Sequence, residues 1–224
     1  MHFQAAIFDL DGTLLDTLDD LADSGNRVLR SLGLPEHPRD SYRYFVGEGL
    51  VRLIERILPS QSRDQVTVAR AVEAFRDDYG RNWKNRSGMY DGIAAMLEGL
   101  AGAGLRLSIL SNKPHEFTLA CVRDLLPGYP FEPVFGQRPG VPGKPDPAAA
   151  LEIAAILGFP PAEILYLGDT ATDMETAVRA GMFAVGALWG FRDREELERS
   201  GARVVADRPE DVLQLVRAGG ATAW

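Results

Sequence analysis

The stretch IFDLDGTLLDT, residues 7–17, places Asp9 and Asp11 directly after an apolar run. That run is apolar on both faces, which is typical of a strand in a parallel sheet covered by helices. Aspartate is disfavoured in strands, and a buried carboxylate without a partner is costly. A divalent cation is the simplest partner for two such side chains, and Gly12 would allow a sharp turn after them. The alternative is a strand-end turn whose aspartates are solvated.

Strand-like and helical patterns alternate along most of the chain. Strands are predicted at residues 5–8, 106–110, 133–135, 163–167, 183–188 and 203–206. Helices are predicted between them, at residues 91–104, 146–158 and 172–181. The repeated order of strand, helix and strand predicts an α/β fold with a doubly wound parallel sheet, similar to a Rossmann fold.

Residues 18–86 differ from this pattern because they contain no convincing strand. They are predicted to form three helices separated by two loops, residues 31–38 and 58–63. The sequence therefore predicts two domains. Residues 1–16 and 87–224 would form the α/β core, and residues 17–86 would form a small all-helical cap domain inserted after the first strand.

Composition and charge exclude several function classes. The net charge of −8 and the pI near 5.0, with no cluster of basic and aromatic residues, argue against nucleic acid as a bound polyanion. The single cysteine, Cys121, cannot form an internal disulfide, which favours a reducing compartment. The longest weakly polar run, residues 181–191, is too short to span a membrane, and no export signal is visible. We expect a cytoplasmic protein that binds neither nucleic acid nor membranes.

Three further polar motifs lie near predicted strand ends or helix starts. Ser111 and Asn112 follow a strand, where a hydroxyl and N–H groups suit a phosphoryl oxygen, although both residues are also favoured helix caps. Asp169 and Asp173 follow another strand and could hold a cation or merely cap a helix. Lys144 lies in a Pro- and Gly-rich loop, where a lysine is usually solvated, and its surroundings do not match a nucleotide-binding P-loop.

In order along the chain, DxDGT, Ser-Asn, Lys-Pro and GDxxxD resemble the four motifs of the haloacid dehalogenase superfamily. The resemblance spans nearly the whole chain, and the helical insert lies where one branch of the superfamily carries its cap. Because both Asp9 and Asp11 are present, the resemblance implies phosphoryl transfer rather than dehalogenation. Within the phosphatases, DLDGTLLDTLDDL, YRYFVGEGL, SNKP and ALWGF are similar to the bacterial phosphoglycolate phosphatases.

The resemblance implies a Mg²⁺-dependent phosphomonoesterase that acts on a small phosphorylated metabolite, with 2-phosphoglycolate as the expected substrate. Asp9 would form an aspartyl-phosphate, and Asp11 would act as general acid and base. Mg²⁺ would be held by Asp9, Asp169 and the backbone carbonyl of Asp11. Asp173 would support these ligands without contacting the ion itself. Thr13 would brace Asp11.

The phosphate and the leaving group would be bound by separate sets of residues. Phosphoryl oxygens would be surrounded by Ser111, Lys144 and the N–H groups of Asp11, Gly12 and Asn112. The resemblance places a cap loop over the site, formed by Gly47, Glu48 and Gly49. A substrate carboxylate could meet Arg43 or Arg52, and simple solvation is the alternative for each arginine.

Other functions remain open from the sequence. A pyrophosphatase, a sugar-phosphate phosphatase or a phosphomutase would share this fold, although residues 18–23 lack the histidine that the mutase family carries after the first motif. A non-catalytic regulatory or binding protein could also retain the scaffold. The sequence leaves open the natural substrate and whether the chain forms a homodimer.

Overall fold

The centre of the protein is a parallel β-sheet. The computed structural model describes residues 2–219, and within them the strands are β1 (Ala5–Phe8), β2 (Leu15–Asp16), β3 (Gly88–Met89), β4 (Arg106–Pro114), β5 (Phe131–Gln137), β6 (Ile164–Gly168), β7 (Phe183–Ala187) and β8 (Val204–Ala206). Over this described range, six of them form the sheet in the spatial order β5, β4, β1, β6, β7, β8, with every pair parallel. The predicted doubly wound α/β fold is confirmed.

Helices surround the sheet and also fill the segment between β2 and β3. Those described are α1 (Leu18–Ser31), α2 (Tyr42–Phe45), α3 (Leu50–Ile57), α4 (Gln65–Asn82), α5 (Ile93–Gly102), α6 (His115–Leu125), α7 (Ala148–Leu157), α8 (Ala171–Ala180), α9 (Arg194–Arg199) and α10 (Pro209–Arg217). Short 3₁₀ turns occur at Arg39–Ser41, Ser60–Ser62 and Pro161–Glu163. None of these helices combines the length and apolar character needed to cross a membrane.

The first strand is apolar on both faces because the sheet has a core on each side. Successive strand side chains point to opposite faces. Ala6 and Phe8 accordingly belong to one buried cluster, together with residues of α5 and α10. Ala5 and Ile7 belong to the other, together with residues of α7 and α8. All four side chains are fully buried, so β1 has no polar position until the chain leaves the sheet at Asp9.

The strand β4 is longer than predicted. It continues to Pro114 because its pairing with β5 extends to Pro114 and Gln137. Ser111 and Asn112 therefore lie in the last part of a strand, whereas the sequence predicted them at a helix start. The following helix, α6, begins only at His115.

The middle helix predicted in the segment 18–86 is in fact two helices, α2 and α3. The break lies at Gly47 and Gly49, whose φ angles are 115° and 88°. Glycine adopts such left-handed values readily, whereas a helix cannot continue through them. The apolar pattern on either side is helical in both cases, which is why the sequence did not predict the break.

The short β2–β3 pair lies where the chain enters and leaves the helical segment. It is antiparallel, with Leu15 opposite Met89 and Asp16 opposite Gly88. The division into a core (1–16 and 87–224) and a cap (17–86) stays a prediction, and residues 1 and 220–224 of that core lie outside the described residues. Cytoplasmic location and homodimer formation also stay predictions.

Candidate active site

Three aspartates converge at the carboxyl edge of the sheet. Asp9 follows β1, Asp169 follows the neighbouring strand β6, and Asp173 lies in the first turn of α8. Carboxylate oxygens of the three lie within 4.8 Å of one another, and all three side chains are buried. The chain passes from β1 to β4 on one side and later to β6 on the other, so the cluster lies at a topological switch point, where α/β sheets bind ligands.

A buried lysine lies among these carboxylates. The Nζ atom of Lys144 is 2.8 Å from Asp9 Oδ1 and 2.7 Å from Asp173 Oδ1, and it donates to the carbonyl of Leu110. The contact with Asp9 is an ion pair without hydrogen-bond alignment, because Asp9 Oδ1 has no hydrogen-bond partner within residues 2–219. One ammonium faces three carboxyl groups, so two negative charges would be unbalanced if all three were ionised.

The crowding of carboxyl groups around one lysine also shifts the pKa values of these residues. Burial raises the pKa of Asp9 to about 7, against the attraction of Lys144 and with repulsion from Asp173. Burial, followed by repulsion from Asp173 and Asp9, raises the pKa of Asp169 well above its usual value. Burial alone would lower the pKa of Lys144, but the two carboxylates beside it outweigh this effect and raise it. The oxygen donors, the Asp9 oxygen without a hydrogen-bond partner and the single ammonium among three carboxyl groups together fit a hard divalent cation.

Asp169 is held in a tight enclosure. Thr13 Oγ1 donates to Asp169 Oδ1 at 3.0 Å, and the N–H of Phe191 donates to Oδ2 at 2.8 Å. Gly12 has a φ of 89°, and a Cβ there would lie 2.3 Å from Asp169 Oδ2. A Cβ at Gly190 would lie 2.3 Å from the Cβ of Asp169. No side chain fits at Gly12 or Gly190, because the backbone there approaches Asp169 too closely. Thr13 was predicted to brace Asp11, but it braces Asp169 instead.

Asp11 is held by different partners. It accepts a hydrogen bond from Thr17 Oγ1 at 2.8 Å, and Nζ of Lys113 lies 3.0 Å from both of its carboxylate oxygens. The N–H of Gly12, which the resemblance assigned to phosphate, instead donates to the carbonyl of Leu15 at 2.8 Å. The role of Gly12 that the geometry supports is therefore steric.

Asn112 links the helical segment to the loop that carries Lys144. Its Nδ2 atom donates to the carbonyl of Gly47 at 3.1 Å and to that of Lys144 at 3.0 Å. Its Oδ1 atom accepts from the N–H of Lys144. The hydroxyl of the adjacent Ser111 accepts from the N–H of Lys113 at 3.2 Å. Asn112 thus positions the lysine, a role that its place in the sequence did not indicate.

A cleft opens over these groups, between the sheet edge and the helical segment. It encloses about 530 Å³, a volume that includes space open to solvent. Its polar residues are Asp9, Asp11, Tyr79, Ser111, Asn112 and Lys113. Of the predicted cap residues, Gly47 and Gly49 line the cleft.

The other predicted cap residues lie elsewhere in this arrangement. Arg43 donates to the carbonyl of Gly190 at 2.8 Å. Arg52 is 58% exposed and pairs with Glu55 at 2.7 Å. Glu48 forms ion pairs with Arg52 and with a second arginine of α3. None of the three lines the cleft, and their contact with substrate stays a prediction.

Sequence reasoning missed Lys113 and Tyr79 as site residues. Lys113 is 6% exposed, and its Nζ atom lies 2.7 Å from the hydroxyl of Tyr79 as well as beside Asp11. Burial would lower the pKa of Lys113, but Asp11 outweighs that effect and raises it. The only signal for Lys113 was its place directly after Ser-Asn, and Tyr79 belongs to an apolar helical stripe that is typical of core packing.

The fold and this site define a class of protein: a doubly wound α/β protein whose candidate ligand site is an acidic cluster with a buried lysine, beyond the carboxyl ends of the strands. The sequence profile of the haloacid dehalogenase-like hydrolases matches residues 6–187. The chain belongs to this family, which confirms the resemblance predicted from the four motifs. It is therefore a hydrolase.

Similar proteins are phosphatases by name. The chain is 34% identical over 211 residues to a phosphoglycolate phosphatase of Aquifex aeolicus, covering 94% of this chain and 95% of that protein. It is 33% identical to a phosphoglycolate phosphatase of Mesorhizobium japonicum, covering 96% and 97%. The crystal structure of a predicted phosphoglycolate phosphatase from Haemophilus somnus superposes with a TM-score of 0.89 at 27% identity, covering 96% of this chain and 98% of that one.

Proposed function

We propose that the protein is a Mg²⁺-dependent phosphomonoesterase that forms an aspartyl-phosphate on Asp9. The observation that carries the proposal is the convergence of Asp9, Asp169 and Asp173 oxygens within 4.8 Å, beside a buried lysine and an open cleft. Asp9 lines the cleft, and a carboxylate in such a position can act as a nucleophile.

The metal would be held by Asp9, Asp169 and the backbone carbonyl of Asp11, with Asp173 as support. The oxygen donors and the excess of carboxyl groups over the one ammonium support a divalent cation of this type. When bound, the ion neutralises charge between an anionic nucleophile and an anionic phosphoryl group.

The side chains divide the remaining chemistry between them. An oxygen of Asp9 attacks phosphorus, and the bond from phosphorus to the leaving oxygen breaks as that oxygen takes a proton from Asp11. Water then attacks the phosphoryl group, Asp11 takes a proton from the water, and the bond to Asp9 breaks. Ser111 and the ammonium of Lys144 donate hydrogen bonds to the phosphoryl oxygens.

We further propose 2-phosphoglycolate as the substrate. The support is the similarity, over almost the whole chain, to proteins named phosphoglycolate phosphatase. The helical segment would act as the cap, with the β2–β3 pair near its hinges, and closing would exclude water from the first step.

The test is phosphate release from a panel of 2-phosphoglycolate, pyrophosphate and sugar phosphates, with Mg²⁺ and with a chelator. Asp9→Asn should abolish release, while Asp40→Asn, at a side chain that is 81% exposed, should leave it unchanged. Borohydride added during turnover should reduce Asp9 to homoserine, detectable by mass spectrometry. Activity that survives in Asp9→Asn would remove the assigned nucleophile, and an isomerised sugar phosphate would favour a mutase. Ligand binding without turnover would favour a non-catalytic protein.

A further inference from the structure

The cleft contains a buried ammonium that the proposed phosphoryl chemistry does not use. Among the described residues that line the cleft, Lys113 is the one with a cationic side chain. It contacts Asp11, which follows the proposed nucleophile by two residues and would face the departing oxygen. The positive charge therefore lies on the leaving-group side of the proposed reaction, and it lies close to the scissile bond.

A buried hydrogen-bond donor lies beside this ammonium. Tyr79 is 1% exposed, and its hydroxyl oxygen accepts from Lys113 at 2.7 Å. A phenol can also donate its proton, and within residues 2–219 no group accepts a hydrogen bond from the Tyr79 hydroxyl. Burial raises the pKa of Tyr79, so the proton is retained. An anionic oxygen is the acceptor that would satisfy the phenol, and the neighbouring ammonium would favour its charge.

The remaining walls of the cleft restrict what such an anion could be. They are largely apolar and are formed by Leu21, Val46, Leu50, Leu53, Phe75 and Phe117. Sugar hydroxyls buried against them would lose hydrogen bonds to water without replacement. Because Lys113 already pairs with Asp11, a second phosphate would place much more negative charge beside this one ammonium than a single carboxylate would. A single carboxylate on a short carbon chain fits both limits.

We propose that Lys113 and Tyr79 form a subsite for a carboxylate of the leaving group, so that the preferred substrates are phosphate monoesters of short hydroxy acids. This inference rests on the proposed phosphatase function. It assigns carboxylate recognition to a residue of the core and a residue of α4, instead of the predicted Arg43 and Arg52, which pair with Gly190 and Glu55.

The experiment compares 2-phosphoglycolate with 2-hydroxyethyl phosphate, an analogue of similar size whose leaving group is uncharged. The wild-type enzyme should prefer the carboxylate substrate in kcat/KM. Lys113→Met should lower kcat/KM for 2-phosphoglycolate about 10²-fold more than for 2-hydroxyethyl phosphate. Only 2-phosphoglycolate has a carboxylate that would lose a buried charge pair with Lys113. Tyr79→Phe should reduce the same preference about tenfold.

A matched control and a second measurement keep the outcomes distinct. Lys84→Met removes an exposed lysine that pairs with Asp124, and it should leave both substrates unchanged. In the wild-type enzyme, 3-phosphonopropionate should inhibit more tightly than propylphosphonate, which tests the subsite even if the variants fail to fold.

Three results would overturn the inference or its basis. Equal loss on both substrates in Lys113→Met would mean that Lys113 acts only by positioning Asp11. No preference for carboxylate in the wild-type enzyme, in hydrolysis or inhibition, would remove the subsite while leaving the phosphatase function intact. Absence of Mg²⁺-dependent hydrolysis of either ester would instead refute the proposed function on which the subsite rests.

Discussion

Replacing Asp20 with alanine should destabilise the junction between the helical segment and the rest of the chain. Asp20 lies in α1 and is 2% exposed. Its carboxylate accepts hydrogen bonds from the N–H of Arg86 at 2.9 Å, from the N–H of Ser87 at 2.8 Å and from the hydroxyl of Ser87 at 2.7 Å. It therefore joins α1, at the start of the helical segment, to the residues directly before β3, where the chain leaves that segment.

The expected loss follows from these three donors. Hydrogen bonds to a charged group contribute about 1.5–3 kcal/mol each, so full loss would cost about 4.5–9 kcal/mol. Arg86 is exposed and Ser87 is half-buried, so water can replace part of what is lost. We expect about 2–3 kcal/mol in the free energy of unfolding. Asp23→Ala is the matched control, because Asp23 pairs with the side chain of the same arginine but is 47% exposed.

The assay is urea unfolding followed by tryptophan fluorescence and by circular dichroism. Trp83 is buried at the end of α4, close in sequence to the affected strand, and should report the change. Asp23→Ala should cost less than about 1 kcal/mol. The reasoning would be refuted if Asp20→Ala cost no more than the control, because the buried carboxylate would then not hold the junction together.

Three further predictions concern the site and its surroundings. Gly12→Ala should lower activity more than tenfold, because its Cβ would lie 2.3 Å from Asp169 Oδ2. The control is Gly33→Ala, where φ is 69° and no atom lies within 4 Å of the added Cβ; it should cost only about 1–2 kcal/mol of stability and no activity. Cys121 is fully buried with its pKa raised to about 11, so Ellman's reagent at pH 8 should label it only after urea is added; rapid labelling of the folded protein would contradict the burial. Burial raises the pKa of Asp9 from 3.8 to about 7, so the chelator-treated protein should lose stability as the pH rises through this window. In thermal melts, the melting temperature of Asp9→Asn should therefore fall less steeply with rising pH than that of the wild type. Equal dependence on pH in the two proteins would contradict this cause.

The sequence was sufficient where structure depends on local pattern. The apolar run of residues 5–8 predicted β1 with the bounds that the structure has, because a strand buried on both faces must be apolar at every position. Gly158 and Gly181 likewise ended their helices as predicted, since both have the left-handed φ that glycine adopts most readily. The carboxyl ends of parallel strands meet at one edge, so the meeting of Asp9 and Asp169 also followed from the pattern.

Pattern was insufficient where two similar side chains compete for the same partner. Thr13 and Thr17 are both close to Asp11 in sequence, and only the path of the turn shows that Thr17 donates to Asp11 while Thr13 donates to Asp169. The N–H of Gly12 was expected to face phosphate, yet the same turn directs it to the carbonyl of Leu15.

By itself the sequence determined the sheet, the acidic edge and the family, because periodicity and short motifs are properties of neighbouring residues. The tertiary structure alone decided which distant groups share a pocket. Lys113 meets Asp11 across 102 positions and Tyr79 across 34, and Asn112 meets Gly47 across 65. Tyr79 and Gly47 reach their partners because the helical segment packs over the sheet, and Lys113 reaches Asp11 because β4 lies beside β1. No local spacing encodes either arrangement.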